Sequence, residues 1–162
     1  MAGLAAIRDL KKSPHHLLRR AAQYASDLYS AEVGNNGLTH RQFTVLLAVE
    51  QNEGASQTDL VQITGIDRST LAELIARLTA SGLLQRRRTK ADARVNTVRL
   101  SAAGRRALVA AQPGAKTADR RLLRVLDKDQ RKVFVAALAE INKVLTEQEN
   151  RIAETARQRR KL

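Results

Sequence analysis

Residues 56–88 read SQTDLVQITGIDRSTLAELIARLTASGLLQRRR, and the punctuation of this stretch decides the fold. Ser56 followed three residues later by Asp59 is a capping pattern, so a helix opens here. It can hold only two turns, because Thr64-Gly65-Ile66 interrupts it and Asp67 caps the next helix. In that next helix Leu71, Leu74, Ile75 and Leu78 form one apolar face, while Ser69, Ala72, Glu73, Ala76 and Arg77 occupy the other. Gly82 stands where a left-handed C-terminal residue is wanted. The period then changes: 84–88 and 95–100 read as two short strands joined by the turn-like residues 89–93.

Two helices across a tight turn are common. Here a hairpin follows at once, carrying Arg86, Arg87, Arg88, Lys90, Arg94 and Arg99 against the single acid Asp92. That combination is a winged helix-turn-helix, whose physics suits duplex DNA. A helix fits the major groove, its N-terminus favours phosphate, and a basic hairpin tip is thin enough for the minor groove.

The flanks read as helices. Upstream, Ser13-Pro14 opens a first helix with the apolar stripe Leu17, Leu18, Ala21, Ala22, Ala25, Leu28 and Tyr29, ending at the Gly34–Gly37 turn. Thr39 and Gln42 make a capping box, with Leu38 and Phe43 in the positions of a hydrophobic staple, so a second helix runs to about Asn52. Downstream, Ser101 caps a fifth helix. Its stripe Leu108, Ala111, Ala115, Ala118, Leu122 and Val125 keeps phase across Pro113-Gly114, which argues for one kinked helix over two. Asp127 and Gln130 launch a sixth, with the stripe Phe134, Ala137, Leu138, Ile141, Leu145 and Ile152. The expected organisation is an N-terminal dimerisation helix at 1–37, a winged unit at 38–100, C-terminal dimerisation helices at 101–156 and a frayed basic tail at 157–162. The fold class is mainly α with a small β-hairpin wing (α+β).

Composition narrows the function. The 162 residues carry 29 Lys+Arg against 16 Asp+Glu, a formal net charge of +13, which makes a polyanion the first partner to consider. With no cysteine, disulfides, thiolate metal sites and cysteine nucleophiles are excluded, and a reducing cytoplasm fits. Aromatics make up 2%, and Tyr24, Tyr29, Phe43 and Phe134 fall on core stripes, leaving no stacking platform for single strands. His15, His16 and His40 lack ligand spacing, and no nucleophile elbow or phosphate-cradling glycine loop occurs, so the reading is no metal, no cofactor and no enzyme. No run of about 18 apolar residues or signal-peptide core appears, so the chain is expected to be soluble and cytoplasmic, without a membrane partner.

The segments LTHRQFTVLLAV (38–49), SQTDLVQITGIDRSTLAELIARLTASGLLQRRR (56–88), DAR (92–94) and VRLSAAG (98–104) closely resemble the MarR family of bacterial transcription regulators, and the resemblance covers residues 14 to about 150. It implies a homodimer joined through the first and last helices, two winged units on one pseudo-palindromic double-stranded operator, and an effector site between the dimerisation and DNA-binding regions. The family's Asp-x-Arg wing signature falls on Asp92-Ala93-Arg94, the arginine at the minor groove and the aspartate bracing the wing. The helix from Asp67 to Ser81 would read the major groove through Arg68, Ser69 and Thr70, with Gln57 and Thr58 at the backbone.

Each signal has a plainer reading. Arg68 could pair with a surface acid, but at the first turn of an exposed helix beside Ser69 and Thr70, DNA contact is favoured. Glu73 would repel phosphate, so an i,i+4 pair with Arg77 is favoured for it. Ala72 and Ala76 are either simple helix formers or small residues that let the helix sit close to the groove, and both readings stand. Among Arg86, Arg87 and Arg88, strand alternation turns at least one toward the helices, and Arg94 is the better DNA residue. The candidate DNA contacts are Gln57, Thr58, Arg68, Ser69, Thr70, Ala72, Arg77, Arg88, Lys90, Asp92 and Arg94. The resemblance implies an effector in the crevice bounded by helices 1, 2 and 5. Lys11, Lys12, His15, His16, Arg19 and Arg20 cluster nearby in sequence, either as a basic flank adding to the field around DNA or as the meeting point for an anion. On the second reading His16, Leu17, Arg19, Arg20 and Phe43 would bind an aromatic carboxylate or its coenzyme A thioester. The reading is a ligand-responsive dimeric repressor. Its rivals are an architectural DNA protein without an effector and a module that displaces another regulator.

Overall fold

Capping chemistry starts nearly every helix. The computed structural model describes residues 9–34, 37–88 and 96–159, with backbone alone at 87, 88, 96, 149, 150 and 152–159. After a 3-10 turn at Leu10–Lys12, Ser13 caps α1 (Pro14–Val33), and Gly34 closes it with φ 82°. At α2 (His40–Gln51) the reciprocal box forms: the Thr39 N–H donates to Gln42 Oε1 at 2.9 Å and the Gln42 N–H to Thr39 Oγ1 at 3.3 Å. Ser56 and Asp59 do the same for α3 (Gln57–Thr64), and Asp67 caps α4 (Arg68–Ala80). The hairpin pairs β1 (Leu84–Arg88) antiparallel with β2 (Asn96–Leu100), in the register Leu84↔Leu100, Arg86↔Val98 and Arg88↔Asn96. The expected strand start at Val95 and the turn at 89–93 lie outside the described residues.

Ser101 caps α5 (Ala102–Leu123), one helix through Pro113 as the phase of its stripe requires. The Asp127–Gln130 box (3.0 and 2.8 Å) opens α6 (Lys128–Arg159). Arg131 fixes the bend between the two, its Nε donating to the carbonyls of Leu123 and Leu126, both at 2.9 Å. Residues 157–159, expected to fray, continue the helical backbone, because nothing in the run up to them breaks the α6 pattern.

One core joins α2 (Val45, Leu46, Val49), α3 (Leu60), α4 (Leu71, Ile75, Leu78), the hairpin (Leu84, Val98) and α5 (Leu108, Ala111). A second, smaller one holds Leu28 and Tyr29 of α1 against Ala115 and Ala118 of α5. The two helices approach closely: a Cβ on Gly114 would meet the Glu32 carbonyl oxygen at 2.8 Å. They run antiparallel, and α5 ends beside Ala22, so among the described residues no helix covers the front of α1.

That end point explains the departures from the expected core stripes. Leu17, Leu18 and Tyr24 are 45–49% exposed, the first two because α5 stops short of them and Tyr24 because it points off the α5-facing side. Val125 lies beyond the α5 terminus and is 71% exposed. On α6, Phe134 and Leu138 are half-buried while Ala137, Ile141 and Leu145 are exposed, so the stripe is largely uncovered among the described residues, and the side chain of Ile152 lies outside them. No described helix is long and apolar enough to cross a membrane.

Candidate nucleic-acid interface

The turn between α3 and α4 is built from local rules. Gly65 takes the left-handed conformation (φ 64°) that ends α3, which glycine adopts without the steric cost of a Cβ. Asp67 then accepts from the Ser69 hydroxyl at 2.6 Å and the Thr70 N–H at 2.9 Å. These bonds, the Ser69 hydroxyl first, hold the Asp67 carboxyl well below the usual carboxylate range, so it stays ionised at the positive end of α4.

With its inner face in the core, α4 turns Arg68, Ser69, Ala72, Glu73, Ala76 and Arg77 to solvent, and Thr70 is half-buried at the rim. Glu73 pairs with Arg77, as the i,i+4 spacing implies, so Arg77 is engaged within its own helix. Ser69 has its hydroxyl proton on Asp67 and therefore offers lone pairs outward. Gln57 and Thr58 are half-buried at the start of α3, where Thr58 Oγ1 accepts from the Arg68 guanidinium at 3.1 Å. The α3 N-terminus and the α4 N-terminus thus converge on one surface. Sequence reasoning missed this link, because no local pattern ties residues ten positions apart.

In the hairpin the register puts Arg86 on the face shared by Leu84 and Val98, yet its side chain remains exposed at the rim. Arg88 closes the ladder opposite Asn96. The side chain of Arg88, and Lys90, Asp92 and Arg94 entirely, lie outside the described residues. The base of the wing is tied down: the Ser101 hydroxyl donates to the Gly82 carbonyl at 2.6 Å and accepts from the Gly104 N–H at 2.9 Å.

Between α1, α2 and α5 lies a crevice of about 260 Å³ lined by Ala22, Ala25, Ser26, Tyr29, His40, Ala118, Asp119 and Leu122. The Tyr29 ring meets His40 edge-on at 5.0 Å and Phe43 at 6.0 Å. Its hydroxyl is buried with no partner among the described residues, and burial pushes the phenol up to about 12, so it remains a neutral donor. None of His16, Leu17, Arg19, Arg20 and Phe43 lines this crevice. Phe43 packs behind Tyr29, His16 is half-buried, and Leu17, Arg19 and Arg20 are exposed further toward the start of α1. Arg19 precedes Ala22 by three residues and Ser26 by seven, which places it one turn along on the crevice-facing side of the helix. Among the described residues no cluster of His, Asp or Glu could hold a metal ion.

Comparison with known proteins bears on this surface. A model of the MarR family matches residues 36–95. The transcriptional regulator HosA of Escherichia coli O157:H7 is 31% identical over 126 residues, covering 78% of this chain and 92% of HosA. Among solved structures, Bordetella bronchiseptica BpsR, whose DNA binding is regulated by 6-hydroxynicotinic acid, has a TM-score of 0.78 at 30% identity over 82% of this chain and 95% of its own. The transcriptional repressor CouR of Rhodococcus jostii RHA1, solved on a 23-mer DNA duplex, has a TM-score of 0.75 at 29% identity over 85% and 97%.

Proposed function

The chain belongs to the MarR family of transcriptional regulators, and on that footing we propose that it is a dimeric cytoplasmic repressor which binds a pseudo-palindromic operator and is released by a small aromatic anion. The observation that carries the DNA reading is the outer face of α4: exposed along its length, small at Ala72 and Ala76, and headed by Arg68 and Ser69 over a fixed N-cap. Small residues at the middle of such a face let the helix sit close to a major groove, while the hairpin follows it for the minor groove. The solved CouR–DNA complex supports the same use of the fold.

Dimerisation is supported by apolar surface that one chain leaves uncovered. Leu17 and Leu18 at the front of α1, and Ile141 and Leu145 on α6, are each about half exposed. Two long helices with uncovered apolar stripes are the ordinary raw material of an isologous helical interface.

The effector reading rests on the crevice under Tyr29. Its volume suits a single ring, so the coenzyme A part of a thioester would lie outside it. Tyr29 offers a buried donor with no partner among the described residues, and Arg19 sits one turn away for a carboxylate. BpsR responds to a ligand of this class. The experiment is fluorescence anisotropy of a labelled duplex preloaded with the protein and challenged with a panel of single-ring aromatic acids and their coenzyme A thioesters. Release by one or more free acids, and not by benzene-ring compounds lacking an acceptor group, is expected. Release by none of the panel would remove the effector half of the reading.

A further inference from the structure

The bond between Thr58 and Arg68 joins the two helices at their DNA-facing ends. The α3 cap does not use the Thr58 hydroxyl, since Ser56 and Asp59 form the capping box between themselves. Among the described residues no carboxylate lies within ion-pair distance of Arg68, so a neutral oxygen is what holds its guanidinium. Arg77 is held differently, by the charged Glu73 of its own helix, and must give up an ion pair to reach a base.

We propose that Thr58 is a positioning residue for sequence reading: it orients the Arg68 guanidinium before DNA arrives. This rests on the reading of α4 as the recognition helix. An arginine has several rotatable bonds, and ordering them on a base edge opposes binding; a bond already made in the free protein removes part of that cost. The guanidinium carries five N–H donors, so the one given to Thr58 leaves a fork for the O6 and N7 acceptors of a guanine. Thr58 takes part in base reading through this bond, so its loss is felt only where Arg68 reads a base. Arg68 keeps its whole charge for DNA because its partner is neutral. Arg68, and not Arg77, is therefore the arginine that discriminates bases.

The test compares T58V, T58S, R68A and the T58V/R68A double variant on two duplexes across one salt series. One is the sequence that the wild-type chain enriches from a random pool, the other the same composition scrambled. T58V should bind the enriched duplex about three- to tenfold more weakly and the scrambled one nearly as the parent does. T58S restores the hydroxyl and should restore the affinity. In the R68A background T58V should change nothing further, and T58V alone should keep the parent's salt dependence, since it loses no charge. If T58V melts early, T58A removes the same hydroxyl with better helix propensity and gives the same readout. Equal weakening on both duplexes, failure of T58S to rescue, or additive losses in the double variant would overturn the proposal. An R68A protein that binds both duplexes like the parent would overturn the recognition-helix reading itself, and this one with it.

Discussion

A Cβ built on Gly104 would lie 2.0 Å from the Leu83 carbonyl oxygen, a backbone atom that cannot swing aside. Gly104 also donates its N–H to the Ser101 hydroxyl, which reaches the Gly82 carbonyl, so one side-chain hydroxyl and a close backbone approach join the first turn of α5 to the base of the wing. G104A should therefore lower stability by about 1–3 kcal/mol or more, despite alanine's higher helix propensity. A urea midpoint at fixed chain concentration that equals the parent's would contradict this. Nothing in the sequence marks Gly104 as special, because its neighbour is 21 positions away. The caps at Ser13, Thr39, Ser56, Asp67, Ser101 and Asp127 were all legible, since each depends on residues within one turn. Asp67 adds a pH signature. Its folded pKa is depressed, so its ionised form stabilises α4 above the ordinary carboxylate range, and that contribution disappears as the pH falls through the folded value. D67N should melt below the parent at pH 7, with the gap narrowing below about pH 4. A gap that widens in acid would reverse the assignment.

Element boundaries followed from caps and periodicity, whereas the partner of each apolar stripe did not. Periodicity says which face of a helix is apolar; it cannot say how far the covering helix extends. The α1 stripe at Leu17 and Leu18 is exposed because α5 ends at Leu123, and the α6 stripe at Ile141 and Leu145 stands open for the same kind of reason. The candidate site divides in the same way. The outer face of α4 was readable residue by residue, while the link from Arg68 to Thr58 and the crevice under Tyr29 required tertiary placement. For the wing, the expectation at Arg94 comes from sequence. R94A should weaken operator binding and reduce the slope of log affinity against log salt by about one unit, because a minor-groove arginine acts through charge and counterion release. An unchanged slope in a variant that melts like the parent would place Arg94 away from DNA.

At the scale of the whole molecule, the winged unit shares one core with α5, and α6 carries exposed apolar residues at Ile141 and Leu145. Ending the chain after Asp127 should therefore yield a monomer by light scattering, or an insoluble product, and a soluble dimer would sink the assignment of α6 to the interface. The charge of +13 makes some affinity for any duplex unavoidable, so binding alone decides little. Preference decides more. The full chain should be used to enrich duplexes from a random pool, and the affinity for the enriched sequence compared with that for its scrambled counterpart at physiological salt. A pseudo-palindrome with half-sites about one helical turn apart, bound at least about a thousandfold more tightly than the scrambled duplex, is the predicted result. Enrichment of no sequence, with equal affinity for both duplexes, would contradict it and mark the chain as an architectural DNA protein.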